Sequence, residues 1–216
     1  MNKRILVTAG PTHEKIDPVR FIGNHSSGRM GYAIAEVFAE AGAEVHLVSG
    51  PVDIETRHPG IKTTYVSSAS EMFEACKMLI VNMDIAIFSA AVADFTPVSS
   101  EAKKIKSGGK NLNIALKPTP DIARELGKEK RKDQLFVGFA LETNDEFENA
   151  SQKLKKKNLD LIVLNSLNDE GAGFGGDTNK VSLIDRDGKL EHFELKTKRE
   201  VAGDIYLRIK KMIGNA

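Results

Sequence analysis

Asp84-Ile85-Ala86-Ile87-Phe88-Ser89 is apolar almost without interruption. A strand of this kind suits the middle of a parallel sheet covered on both faces, which is reached by crossover connections. The rest of the chain supplies the other parts. Arg4-Ile5-Leu6-Val7-Thr8 reads as a first buried strand. Met30, Ala33, Ile34, Val37, Phe38 and Ala41 then recur at helical spacing up to Gly42, and Glu44–Ser49 is a second strand. A β–α–β unit of this form is normally parallel and right-handed. Thr63–Val66 predicts a short third strand, and Ser68-Ala69-Ser70-Glu71 a capping box that opens the helix carrying Cys76. Leu135–Ala140 and Asp160–Leu164 extend the sheet beyond Asp84–Ser89. Between them lies a helix with Phe147, Ala150 and Leu154 inward and Lys153 and Lys157 sharing a face. Val181–Ile184 and His192–Leu195 flank Asp187-Gly188, a hairpin signal, and a last helix from about Thr197 buries Val201, Ile205 and Met212. The pattern predicts an α/β fold with a Rossmann-like, mostly parallel sheet and helices on both faces, as one domain over residues 1–216.

The chemistry is expected in the connections. The crossing between the first strand and first helix is long, polar and punctuated by Gly and Pro, which marks a functional or disordered loop. It ends in Ser26-Ser27-Gly28-Arg29-Met30-Gly31, small residues at a helix N-terminus where free N–H groups suit an anion. Dinucleotide binding would need G-x-G-x-x-G after the first strand and an acid ending the second. Here Ala9-Gly10-Pro11-Thr12 and Ser49-Gly50-Pro51 stand instead. The fourth strand feeds Ala90-Ala91-Val92-Ala93-Asp94, small residues that let a ligand approach backbone, with one carboxylate. From Thr96 to Pro120 the α/β rhythm breaks. Lys103-Lys104-Ile105-Lys106-Ser107-Gly108-Gly109-Lys110 reads either as a solvated basic loop or as a hinged flap bringing ammonium groups to phosphates, and Asn111–Leu116 alternates like a half-exposed strand. The Gly-rich stretch Gly171–Gly176 lacks the closing Gly-Lys-Ser/Thr of a P-loop.

Thirty-one basic against 30 acidic side chains leave a formal charge of +1, which argues against a general nucleic-acid binder. A single cysteine excludes an internal disulfide, and Cys76 shares a stripe with Met72, Phe73 and Leu79, the setting of a core thiol. The five histidines are scattered without metal-ligand spacing. No run approaches the ~20 apolar residues of a membrane span, and Met1–Arg4 runs into a strand with no signal-peptide core, so a cytoplasmic location away from membranes is expected.

Taken together, several stretches resemble phosphopantothenoylcysteine synthetase, the phosphopantothenate–cysteine ligase of coenzyme A biosynthesis, in its bacterial CTP-dependent form. They are Thr8–Thr12, Asp17-Pro18-Val19-Arg20-Phe21-Ile22, Asn24–Gly28, Ala90–Asp94, Lys104-Ile105-Lys106, Gly138–Thr143 and Lys157-Asn158-Leu159-Asp160. In order and spacing they cover the chain from about Arg4 to Leu195.

The resemblance implies a two-step reaction. The carboxylate of 4'-phosphopantothenate attacks the α-phosphate of CTP, releasing pyrophosphate and forming an acyl-cytidylate. Cysteine's amine then displaces CMP to leave an amide, with Mg²⁺ expected beside the triphosphate. Asn24 matches the family asparagine that holds the acyl-cytidylate, Arg20 the arginine beside it, and Lys104 the lysine assigned to cytidylate formation. The helix-start residues Ser26, Ser27 and Gly28 are expected to bind nucleotide phosphates. Phe88, Ser89, Ala90, Asp94, the turn Pro120-Asp121-Ile122-Ala123, Phe139, Lys153 and Lys157 match positions the family uses for CTP, together with Lys104. Ser107 stands where the family's lysine motif often continues with another lysine. The family is dimeric, the flap of residues 96–120 from one subunit completing the other's site, so a homodimer is expected. In many bacteria the ligase is fused behind a flavin-dependent phosphopantothenoylcysteine decarboxylase; no stretch here matches that half, and a stand-alone ligase and a fragment of a longer chain both fit. Two alternatives stay open: the same ligation using ATP, and a non-catalytic dinucleotide-binding module.

Overall fold

The computed structural model describes residues 2–108, 111–142, 146–166 and 176–214. In chain order the elements are β1 (Arg4–Ala9), β2 (His13–Lys15), β3 (Phe21–Gly23), α1 (Arg29–Glu40), β4 (Glu44–Ser49), β5 (Ile61–Tyr65) and α2 (Ala69–Ile80). Next come β6 (Ile85–Phe88), β7 (Phe95–Pro97), β8 (Leu116–Pro118), α3 (Ile122–Lys128), β9 (Leu135–Glu142), α4 (Glu146–Lys156) and β10 (Leu161–Ser166). The chain closes with β11 (Thr178–Asn179), β12 (Val181–Asp185), β13 (Leu190–His192), β14 (Lys196–Thr197) and α5 (Lys198–Gly214).

Eight strands make the main sheet, in the order β13-β12-β10-β9-β6-β1-β4-β5. Every neighbouring pair from β10 to β5 is parallel, and β12 and β13 add an antiparallel edge. The chain runs outward from β1 to β4 and β5, then returns to β6 on the other side of β1. The connections leaving β1 and β6 therefore diverge, which opens a crevice beyond their C-terminal ends.

Alternate residues of a strand face opposite layers. Ile5, Val7 and Ala9 accordingly join a core closed by Ile34 and Phe38 of α1 and Val201 and Ile205 of α5. Leu6 joins the other core, closed by Met72 and Cys76 of α2, Leu126 of α3 and Leu154 of α4. All four residues of β6 are buried, as its unbroken apolar sequence requires. The Rossmann-like layering expected from the sequence is present. At the start of α2, the Ser68 side chain accepts the Glu71 N–H at 3.2 Å and the Glu71 carboxylate accepts the Ser67 N–H at 2.7 Å, the reciprocal cap its spacing predicts. Among the described residues no helix is long and apolar enough to cross a membrane.

Three expectations need correction. The crossing from Gly10 to Gly28 contains an ordered ribbon of β2 on β3. Asn111–Ala115 forms no strand; β8 begins at Leu116 and pairs with β7 to root the flap, and the backbone pairing runs out just before it, where the Ala115 carbonyl accepts the Val98 N–H at 2.9 Å. Phe147 lies seven residues before Leu154, on the same face by spacing, yet it is exposed while Ala150 and Leu154 are buried. It sits in the first turn of α4, beyond the reach of the core. Gly109, Lys110 and Gly171–Gly175 lie outside the described residues.

Candidate functional site

The loop leaving β6 is the site's spine. Its backbone makes an isolated bridge, Ala91 beside Pro11, with the Ala91 N–H donating to the Gly10 carbonyl at 2.9 Å, and threonines from neighbouring elements satisfy the residues on either side. Thr8 accepts the Ala90 N–H at 3.2 Å, Thr12 accepts the Ala93 N–H at 3.0 Å, and Thr119 donates to the Ala93 carbonyl at 2.5 Å. Ser89 donates to the Thr8 carbonyl at 2.6 Å. Asn24, just beyond β3, donates its side-chain amide to the Val92 carbonyl at 2.9 Å.

Two cavities flank this loop and share Ala90 and Phe139 as a common wall. The first, about 220 Å³, brings together Phe88, Ala90, Asp94, Pro120, Asp121, Ile122, Ala123, Phe139, Lys153 and Lys157, ten of the residues that the sequence nominates. Thr8, Val92, Thr119, Gly138, Leu159 and Ile162 complete it. Asp121 caps α3, accepting the Arg124 N–H at 3.2 Å, and pairs with the Lys157 ammonium at 3.0 Å. The carboxylate of Asp94 makes no hydrogen bond or ion pair with the described residues and is exposed at the mouth. The chain segment behind the lysines explains its sequence. Lys157 is the last residue before a left-handed turn at Asn158, φ 54°, and the Asn158 side chain donates to the Gly127 carbonyl at 2.8 Å. Leu159 is buried against Gly138, where a Cβ would fall 2.5 Å from Leu159 Cδ1. Asp160 accepts the Phe136 N–H at 2.6 Å and pairs with Lys130 and Arg186.

The second cavity, about 160 Å³, is capped by the N-terminus of α1. Ser26, Ser27, Gly28 and Ser89 line it, as expected. Gly28, at φ 74°, precedes the helix without any side-chain cap, so the first-turn N–H groups stay available to a ligand. Gly31 lets this end lie against the sheet: a Cβ there would stand 2.6 Å from the Ala9 Cβ. The opposite wall was not foreseen from the sequence. It consists of Asn165, Asn179 and Lys198. Burial lowers the Lys198 pKa, nearby Arg29 lowers it further, and Asp177 opposes both. Its ammonium donates to the Gly176 carbonyl, and the side-chain oxygens of Asn165 and Asn179 are buried without a partner among the described residues. No local pattern marks these three; they converge only through the order of β10, β11 and α5.

Asn24, Arg20 and Lys104 line neither cavity of their own chain. Arg20 pairs with the buried carboxylate of Asp17 at 2.9 Å and donates to the Ile105 carbonyl, while Lys104 is exposed. Among the described residues no group of three or more His, Cys, Asp or Glu could hold a metal ion. Cys76 is buried, and burial pushes its thiol up to about 12, as befits a core position.

Comparison with known proteins places this geometry. A family model described as the DNA/pantothenate metabolism flavoprotein C-terminal domain matches residues 1–213. A cysteine/cysteine sulfinic acid decarboxylase from an unknown prokaryotic organism is 56% identical over 211 residues, covering 98% of this chain and 59% of the relative. The coenzyme A biosynthesis bifunctional protein CoaBC of Bacillus subtilis is 45% identical over 207 residues, covering 96% of this chain and 51% of the relative. This chain thus spans little more than half the length of these relatives. Among solved structures, the C-terminal domain of a CoaBC bifunctional protein superposes with a TM-score of 0.84 at 44% identity, each chain covered in full. The DNA/pantothenate metabolism flavoprotein from Streptococcus pneumoniae also gives 0.84, at 27% identity over 97% of this chain and 99% of that one. With its fold, its switch-point crevice and nearly its whole length matched, the chain belongs to the family of the DNA/pantothenate metabolism flavoprotein C-terminal domain.

Proposed function

We propose that this chain is a phosphopantothenate–cysteine ligase that activates its acid substrate with CTP. The observation that carries the reading is the pair of adjoining cavities. One presents two lysines beside a pocket rimmed by the start of α3, and the other presents a bare helix N-terminus, so a nucleotide and a phosphorylated acid can meet at Ala90 and Phe139. A carboxylate has no good leaving group, and nucleotidyl transfer supplies one. An oxygen of the 4'-phosphopantothenate carboxylate bonds to the α-phosphorus of CTP while the bond to pyrophosphate breaks. The cysteine amine then bonds to the acyl carbon, CMP departs with its electron pair, and the amine gives up a proton.

The residues of this chain supply position and charge. Lys153 and Lys157 face the nucleotide, and the α1 N-terminus holds a phosphate. Asn24, fixed by the Val92 carbonyl, offers a neutral amide beside the mixed anhydride. Mg²⁺ would neutralise charge on the leaving pyrophosphate. The described residues offer it no cage, which suits an ion held mainly by phosphates, with Asp94 as a protein carboxylate in reach. Arg20 and Lys104 line neither cavity of their own chain, and Val98, Leu112 and Leu116 expose apolar surface on the flap. Both features support a homodimer in which the flap serves the second copy's site.

The test is pyrophosphate release with phosphopantothenate and Mg²⁺, comparing CTP with ATP, with and without cysteine. CTP-preferring release that requires phosphopantothenate, with amide formed on adding cysteine, is the expected result. ATP preference would keep the ligation and overturn the base. Folded protein that releases no pyrophosphate would refute the ligase. The decarboxylase name of one relative covers a protein of which this chain spans 59%, and carbon dioxide release from cysteine or cysteine sulfinate by this chain tests it directly.

A further inference from the structure

Asp17 carries no part in the reaction just described, yet its carboxylate has no exposed side-chain surface and takes four donors. One oxygen accepts the Val19 and Arg20 N–H groups, each at 2.8 Å. The other accepts the Ile105 N–H at 3.2 Å and faces the Arg20 guanidinium at 2.9 Å. Arg20 in turn donates to the Ile105 carbonyl. The peptide unit on either side of Ile105 is thus gripped from both ends by one ion pair, 85 residues away in sequence. A second tie lies beside it, where Glu101 donates its N–H to the Ile16 carbonyl at 2.9 Å. Burial acts to raise the Asp17 pKa, but the three backbone N–H groups and Arg20 outweigh it and the carboxyl titrates below the usual aspartate range. The carboxylate therefore stays charged wherever the enzyme works.

A flap that needs only a hinge has no use for such a grip in its middle. Lys104 is the residue immediately before the clamped Ile105, so fixing that peptide fixes where the Lys104 stem departs. The same carboxylate fixes Arg20, and Asn24 follows four residues later at the end of β3. We propose that Asp17 is a positioning residue that locks Arg20 and Lys104 into one unit, so that both cations reach the reacting phosphate together. The inference rests on the ligase reading, and it assigns to Asp17 a role in the first chemical step that its own atoms never touch.

A double-mutant cycle on the full chain tests it. Asp17→Asn keeps the shape and removes the charge. Single-turnover pyrophosphate release, CTP affinity and hydrogen exchange at the Ile105 amide are measured for wild type, Asp17→Asn, Lys104→Ala and the double variant. Expected for Asp17→Asn is release slowed about 10- to 100-fold, with faster exchange at Ile105 and CTP affinity held within about 3-fold. In the Lys104→Ala background the same change costs less than it does in wild type, since one of the two groups being positioned is already gone. Losses that multiply in the double variant would overturn the proposal, as would faster exchange at an undiminished rate. Where Asp17→Asn fails to fold, Ile105→Pro removes the same hydrogen bond from the flap side; it has no amide to exchange at that position, and the same slowing of release at held CTP affinity is expected of it. Wild-type protein that releases no pyrophosphate refutes the ligase and the positioning role with it, while the exchange measurement still reports whether the clamp exists.

Discussion

Replacing Lys157 by Met separates the lysine's two partners. Met keeps most of the apolar stem and removes the ammonium. In the free protein that ammonium pairs with Asp121 at 3.0 Å, the Lys157 side chain retaining 28% exposure and the Asp121 side chain 40%. Ion pairs this open contribute about 0–1 kcal/mol, so the variant should unfold within about 1 kcal/mol of wild type. Asp121 keeps its cap on α3 regardless, because that bond is to the Arg124 N–H. A bound nucleotide changes the comparison. A charge-assisted hydrogen bond to phosphate in a cleft is worth about 1.5–3 kcal/mol, which predicts CTP binding weakened about 10- to 100-fold. Calorimetric titration with CTP and urea unfolding of the same preparation read the two effects apart. Binding should also become less sensitive to salt, as one phosphate contact is lost. Unchanged CTP affinity would refute the placement of Lys157 at the nucleotide, whatever happened to stability. A loss of several kcal/mol in stability would show instead that the lysine is structural.

Asn24→Asp places a negative charge beside the mixed anhydride and should stall the second step, so that acyl-cytidylate accumulates in a quench experiment; amide formed at the native rate would remove Asn24 from that role. Phe38 is fully buried and meets Tyr206 edge-on at 5.3 Å, so Phe38→Ala should cost about 3–5 kcal/mol in urea unfolding. Cys76, with its thiol pushed up to about 12 by burial, should react with an aromatic disulfide at pH 8 only as fast as the protein opens. Labelling at the rate of a free thiol would contradict its burial.

The parallel sheet is legible because β6 and β10 are apolar without alternation, a pattern that few other settings tolerate. Most residues of the first cavity are legible through short motifs, since they lie within a few positions of a strand end, Lys153 on α4 being the exception. The far wall of the second cavity is not. Lys198 reads as one more charge opening a polar helix, and only the placement of α5 across the sheet buries it. The flap fails for a related reason. Alternation in Asn111–Leu116 encodes a strand in need of a partner, and the described part of this chain supplies one only from Leu116 onward. Phe147 misleads because helical spacing gives direction around an axis, not distance from the core.

The left-handed turn at Asn158 carries a consequence for how this chain can vary. Because that residue is bolted to Gly127 and Arg186, the C-terminal end of α4 is an anchored stop. Each residue inserted or deleted upstream of it would turn the preceding helix by about 100° and slide it about 1.5 Å. A deletion between Lys153 and Lys157 would swing Lys153 out of the cleft while leaving Lys157 in place. The exposed face of α4 can therefore accept almost any polar residue, whereas its length is fixed. Change along this helix should run through substitution, with insertions confined to the connection before Glu146.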